Sequence, residues 1–386
     1  MNIYARRDFL KTLLGSVAAG AFWPWLNQVD AADRAMPTQN SVPKRVNAAD
    51  SSLWERAANK GIIYGAAGRY NDLRKDPEYA AAFSRECKML VPEIELKWSN
   101  LCDKTGAYDF SKVDWLLNFA KSNGMLFRGH TLVWHYKLPV WFQGTVTRQN
   151  AEQTMVRHIS KVASRYAGHM HSWDVVNEAI APGDGRQDGL RRSPWLELLG
   201  PDYIDLAFRV AATVDPNALL VYNDYEIEFD TRKCELKREA TLKLLSRLKS
   251  AGVPVHALGI QAHVWGQPIN QKKLQEFLRS VQRLGLKILI TELDGIDKGM
   301  TADISARDLK VAGLYEEYLS VVLENPAVIS VVTWGLSDRH TYLTQWHPRK
   351  DGLPVRPLPL DANLKRKPAW EAIANAFDNA PVRKSI

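Results

Sequence analysis

Ser172-Trp-Asp-Val-Val-Asn-Glu178 and Lys287-Ile-Leu-Ile-Thr-Glu292-Leu-Asp294 decide how this chain is read. Each opens with a short apolar, β-branched run, the pattern of a strand buried on both faces in a parallel sheet. Each run ends in a glutamate with no lysine or arginine beside it. Carboxylates there are a poor choice for packing alone, because an unpaired buried charge is costly. Two of them on distant strands suit a reaction that needs two acids over one bond. Glycosidic cleavage is such a reaction: one acid protonates the leaving oxygen, and the other attacks the sugar or activates water.

Working outward, six more runs share the strand pattern: Ile62 to Ala66, Met89 to Val91, Leu126 to Val133, Ala218 to Tyr222, Leu258 to Gln261 and Ile329 to Thr333. Amphipathic stretches lie between them, including Ala151 to Tyr166, Tyr203 to Val214, Glu235 to Lys249, Leu274 to Leu284 and Ala306 to Leu323. Eight strands alternating with helices is the count of a (β/α)8 TIM barrel, an α/β fold with one catalytic domain over 47–380. An open doubly wound sheet is the alternative, but no Gly-rich phosphate fingerprint follows any strand. In a barrel the strand C-termini share one face, where the loops converge on the active site.

The 386-residue chain opens on Ala5-Arg6-Arg7-Asp8-Phe9-Leu10-Lys11, then a mildly apolar stretch rich in small residues. This predicts a twin-arginine signal peptide over 1–35, recognised by the export machinery, and a linker over 36–46. The expectation is a periplasmic or secreted product with no membrane attachment once the signal is removed. The apolar stretch is too short for a membrane span. A net charge of +8 is spread along the chain without a Lys/Arg run, which argues against a nucleic-acid partner. Cys87, Cys102 and Cys234 lack metal-ligand spacing, and a chain exported after folding does not depend on a disulfide framework. The expectation is a monomer with no cofactor and no metal.

The chemistry assigns roles to neighbours of the two glutamates. Glu178 needs a raised pKa to act as acid, whereas Glu292 needs donors that keep it charged. His263 is the candidate donor, with Asp294 placed to orient its imidazole. Asn177 can bond a sugar hydroxyl beside the reacting carbon. Taken singly, each has a plainer explanation: an ion-pair member for a glutamate (Lys97 being an available partner), a core histidine for His263, a helix cap for Asn177. Four such residues at strand ends make that explanation weaker. The chain also holds 13 Trp. Sugar rings stack on flat aromatic faces, and Trp98, Trp134 and Trp334 are the expected cleft residues.

Five ordered motifs then resemble glycoside hydrolase family 10, chiefly endo-β-1,4-xylanases. They are Arg128-Gly-His130-Thr-Leu-Val-Trp134-His135, Trp173-Asp-Val-Val-Asn177-Glu178-Ala179, Tyr222-Asn-Asp224-Tyr225, Ile290-Thr-Glu292-Leu-Asp294 and Trp334-Gly-Leu-Ser-Asp338. The match runs from about Asn47 to about Phe377. The resemblance implies a retaining enzyme with Glu178 as acid/base and Glu292 as nucleophile, acting on xylan or another β-1,4-linked polysaccharide or oligosaccharide. It implies that His130, Asn177, Gln261, His263 and Trp334 surround the sugar being cleaved. Glu93 and Lys97 would hold the next sugar on the non-reducing side.

Three positions depart from the family: Ile94 replaces an Asn, Lys137 a Gln, and Tyr342 a Trp. All three bear on sugar binding, and Lys137 adds a cation suited to an acidic decoration or a different hydroxyl. Retention requires carboxyl groups about 5–5.5 Å apart. Three rivals differ from a xylanase. One is a related retaining β-glycosidase acting on β-1,4-glucan or short xylo-oligosaccharides. Another is a non-catalytic carbohydrate-binding barrel. The third is a metal-dependent hydrolase with His130, His135, His263, Glu292 and Asp294 as ligands.

Overall fold

All eight apolar runs form strands. The computed structural model describes residues 51–383; the signal expected over 1–35 and the linker over 36–46 lie outside the described residues. The strands are β1 (Ile63–Gly68), β2 (Met89–Pro92), β3 (Leu126–Trp134), β4 (Ser172–Asn177), β5 (Leu219–Asp224), β6 (Ala257–Ile260), β7 (His263–Val264), β8 (Lys287–Gly295) and β9 (Val328–Thr333). Neighbours pair in parallel, and β1 to β6, β8 and β9 close on themselves through β9–β1 and β6–β8. This is a closed eight-stranded barrel. The two-residue β7 lies outside the ring, paired to the far end of β8 through His263 and Asp294.

Eight longer helices follow the strands: α1 (Pro77–Glu86), α2 (Ser111–Ser122), α3 (Ala151–Tyr166), α4 (Tyr203–Val214), α5 (Arg232–Ser250), α6 (Gln271–Arg283), α7 (Ile304–Val322) and α8 (Pro368–Asn379). Their starts are set locally. The side chains of Asp76, Thr231, Asn270 and Asp303 each accept a first-turn N–H, at 2.8–3.2 Å. The helices bury apolar stripes, as Met155, Ile159 and Val162 do in α3, which packs against β3.

Inside, side chains from neighbouring strands form layers. Ala67, Met89, Val91 and Val332 make one cluster under Trp334, and Val221, Ala257 and Leu289 make another. Close approach fixes one glycine: a Cβ on Gly129 of β3 would lie 2.0 Å from the Trp173 ring of β4. The ladder is irregular where the chemistry sits. Pairing shifts register between His130 and Val133, between Asp174 and Val176, and between Ile290 and Leu293. Such irregularities re-aim side chains at a barrel rim.

Candidate active site

Glu178 and Glu292 leave strands β4 and β8 at the same rim, and β5 between β4 and β6 supplies the residue that joins them. Asn223, fully buried, donates from Nδ2 to Glu292 Oε1 at 2.9 Å and to Asn177 Oδ1 at 2.9 Å. Thr291 Oγ in turn donates to Asn223 Oδ1 at 2.7 Å, fixing the orientation of the amide. Asn177 Nδ2 then donates to Glu178 Oε1 at 3.1 Å. One asparagine pair therefore links the two carboxylates. The sequence reading did not single out Asn223; its signal was an amide immediately after the apolar run Ala218 to Tyr222, within Tyr222-Asn-Asp224-Tyr225.

The backbone at Glu178 is held in a left-handed conformation, φ 60°. A non-glycine residue there is strained, and such strain persists where neighbours over-determine it. Glu178 N donates to Asn223 O at 2.8 Å, and Arg191 Nε donates to Glu178 O at 2.7 Å. Ala262, φ 63°, is a second such position, and its N–H donates to Glu228 Oε1 at 2.9 Å. That turn ends β6 at Ile260, one residue short of the expected strand, and swings Gln261 and His263 toward the two glutamates.

Electrostatics separate the carboxylates. Burial opposes the charge on Glu292, but His130, His263 and Lys97 outweigh it and hold the pKa down at about 2. His263 Nε2 is 3.4 Å from Glu292 Oε2, and His130 Nδ1 is 3.9 Å from Oε1. Burial also works against a charge on His263, yet Asp294 and Glu292 raise its pKa well above the usual histidine value. Its Nδ1 donates to Asp294 Oδ2 at 3.0 Å. At Glu178 the balance is reversed. Desolvation raises the pKa, with Asp224 and Glu292 adding to it; Gln261 opposes this by donating to Oε1 at 3.0 Å. Both amides point at Oε1, so the acid proton is left to Oε2.

His130 is buried and its Nδ1 faces Asp174 Oδ2 at 2.9 Å, while Arg128 holds the other oxygen of that carboxylate at 2.5 Å. Asp174 explains itself in hindsight: an acid in the middle of a buried strand needs this partner. Lys97 Nζ lies 5.2 Å from the Trp134 ring centre and 5.7 Å from that of Trp334. Burial lowers its pKa, and Glu292, Glu93 and Glu178 pull it back. Glu93 is buried and engaged by Arg69, whose Nε donates to Oε1 at 2.8 Å. Arg69, just past the end of β1, is a second residue the sequence reading missed.

One expectation changes. Trp98 is not a cleft residue: its ring stacks on His158 at 3.8 Å and on Trp195 at 6.0 Å, in an aromatic cluster beneath the loops. Tyr342, expected at a sugar, lines the cavity beside His263 and also donates to Asp294 Oδ2 at 3.1 Å, 3.3 Å from His263 Nδ1. Of the metal reading's five residues, His130, His263, Glu292 and Asp294 meet but are paired with one another, and among the described residues no group of three or more His, Cys, Asp or Glu could hold a metal ion. His135 faces Arg191 and Lys237 instead, and burial is the main cause of its lowered pKa of about 4. Cys87, Cys102 and Cys234 are buried free thiols. Ile94 sits in a small recess with Asn71 and Lys112. Lys137, φ 56°, places Nζ 5.0 Å from the Tyr136 ring centre.

Beside His263 and Tyr342 a cavity of about 710 Å³ opens, lined also by Tyr225, Trp265, Lys298 and His347. It lies among the loops after β5, β6, β8 and β9.

A barrel that sets one glutamate with a raised pKa and one held charged on a shared asparagine bridge, with indoles alongside, has the equipment of a sugar-cleaving hydrolase. The comparison with known proteins gives the family: residues 52–376 match Glycosyl hydrolase family 10, and the chain belongs to it. A β-1,4-xylanase of Dictyoglomus thermophilum is 35% identical over 307 residues, spanning 76% of this chain and 84% of its own. Endo-1,4-β-xylanase B of Thermotoga neapolitana is 31% identical over 322 residues, 83% of this chain and 89% of its own. The crystal structure of xylanase 10B from Thermotoga petrophila in complex with xylobiose is similar at a TM-score of 0.77 and 31% identity. That match covers 85% of this chain and 97% of the other.

Proposed function

We propose that this chain is a retaining endo-β-1,4-xylanase. The observation that carries the reading is the opposed environments of Glu178 and Glu292, on a chain similar over most of its length to proteins named as xylanases. In the first step Glu178 gives its proton to the glycosidic oxygen while charged Glu292 attacks the anomeric carbon, forming a glycosyl-enzyme. The charge on Glu292 vanishes in that ester, which removes one of the causes of the high Glu178 pKa. Glu178 then takes a proton from water, which attacks the same face from which the leaving group departed. His263 and Asn223 hold Glu292 charged before attack; Asn177 and Gln261 orient Glu178.

On the non-reducing side, Glu93, Lys97, His130, Trp134 and Trp334 are assigned to sugar hydroxyls and faces. Lys137 is assigned to an acidic decoration of the chain. Its Nζ lies between the exposed rings of Tyr136 and Trp346, 5.0 and 6.0 Å from their centres, and among the described residues no carboxylate pairs with it. The Arg6-Arg7 motif supports export by the twin-arginine route.

Product analysis tests the reading. The purified protein would be given plain xylan, glucuronoxylan, β-1,4-glucan and xylo-oligosaccharides, with Glu292→Ala as control. Oligosaccharides released from the xylans and absent with the variant are expected, with glucuronoxylan preferred over plain xylan. Release from β-1,4-glucan alone would transfer the protein to another β-glycosidase activity, and no release from any of them would leave a carbohydrate-binding barrel.

A further inference from the structure

Asp294 is a fully buried carboxylate whose support is one-sided. Among the described residues its Oδ1 has no hydrogen-bond partner, and both donors that reach it, His263 Nδ1 at 3.0 Å and the Tyr342 hydroxyl at 3.1 Å, fall on Oδ2. Burying a carboxylate without donors is costly, and hydrogen bonds to a charged acceptor are among the strong ones. The His263 Nδ1–H is already committed to Asp294, so the Tyr342 hydroxyl, 3.3 Å from that nitrogen, directs its only proton to the carboxylate. Tyr342 is itself anchored, packed against the cluster of Ala67, Met89, Val91, Val332 and Trp334. The far nitrogen of His263 is the one that faces Glu292, at 3.4 Å.

We infer that Tyr342 is a positioning residue for the nucleophile: its hydroxyl fixes Asp294, which fixes the His263 imidazole, which holds Glu292 aimed and charged. The tryptophan expected at this position from the family resemblance carries no hydroxyl, so the chain Tyr342–Asp294–His263–Glu292 is built from this sequence's own substitution. A ring that only stacked on sugar would need no donor directed into the protein. The hydroxyl gives the histidine–carboxylate pair a second, independent restraint, which matters because Asp294 has nothing on its other oxygen.

This inference rests on the proposed xylanase reading, and activity of the unaltered enzyme on xylohexaose is therefore the first measurement. The test is the pH profile of kcat/KM between pH 1.5 and 8 for the unaltered enzyme and for Tyr342→Phe, which keeps the ring and removes the donor. Besides Glu178, the other titratable or charged groups facing the chain are His130, Lys97, Glu93, Glu228, Tyr315 and His347, all common to both proteins.

The expected result is an acidic limb displaced upward by about one pH unit and a several-fold fall in kcat, with KM within about twofold. An acidic limb coinciding with that of the unaltered enzyme, whatever KM does, would overturn the inference and leave Tyr342 a sugar contact. Should Tyr342→Phe fail to fold, the NMR signal of His263 Nδ1–H in the unaltered protein decides instead. A doubly protonated imidazole persisting above pH 7 supports the chain, and a neutral ring at pH 6 contradicts it. Inactivity of the unaltered enzyme on xylohexaose would strike at the xylanase reading instead, and the NMR measurement would still judge the chain.

Discussion

Glu178 and Glu292 are the same residue type at the same rim of one barrel, and their surroundings drive them in opposite directions. Around Glu292 stand a histidine at 3.4 Å, a second at 3.9 Å, a buried lysine and the Asn223 amide. Around Glu178 stand apolar cover, two amides and the carboxylates of Asp224 and Glu292. Glu292 is buried and Glu178 half-buried; what differs most is how closely cations approach the carboxylate. Low local dielectric amplifies whichever neighbours are present, so one carboxyl is held charged while the pKa of the other is raised.

This contrast can be broken most severely at Glu292 itself. Glu292→Ala should lower turnover of xylan by about 10⁴-fold or more, the scale of losing a covalent nucleophile. Steady-state release of reducing sugar checks it. Glu178→Ala should cost about 10²–10⁴-fold on xylan, the range for general acid–base catalysis. It should spare glycosyl-enzyme formation from an aryl xylobioside with a good leaving group, read as a burst of phenolate. Equal loss on both substrates would remove the acid assignment.

Asn223→Ala sharpens the comparison, since this amide serves both sides. It removes a buried donor to a charged group, worth about 1.5–3 kcal/mol, or roughly 10- to 150-fold in kcat/KM. It also raises the Glu292 pKa, so the acidic limb of the pH profile should move upward. The smallest effect is expected from Gln261→Ala. Gln261 stabilises the charged form of Glu178, so removing it raises the Glu178 pKa further. Because activity is lost as pH rises through that pKa, the basic limb should move to higher pH, with less than about a tenfold change at the optimum.

The barrel was legible because strand periodicity is local: eight apolar runs declare themselves without knowledge of their neighbours, and all eight became strands. The rim residues were nameable for the same reason, being the polar residues that close each run. Their partnerships were less legible, because they arise from barrel closure. Asn223 reaches Glu292 only because β6, adjacent to β5, pairs directly with β8. Arg69 reaches Glu93 because β1 and β2 run parallel, with Gly68 beside Pro92. Trp98 closes β2 in sequence, yet its short helix turns the ring into a stack with His158 and Trp195. Tyr342 was nameable as a departure, while its hydrogen bonds depend on a loop from β9 lying against the end of β8.

The central claim is that environment alone divides these two glutamates into an anion and an acid. It is tested most directly by NMR titration of ¹³C-labelled glutamate carboxyls in the free enzyme, assigned with Glu178→Gln and Glu292→Gln. The account predicts that Glu292 stays charged to about pH 2 while Glu178 keeps its proton above the ordinary glutamate range. Two carboxyls titrating together near the ordinary value of about 4.3 would contradict it.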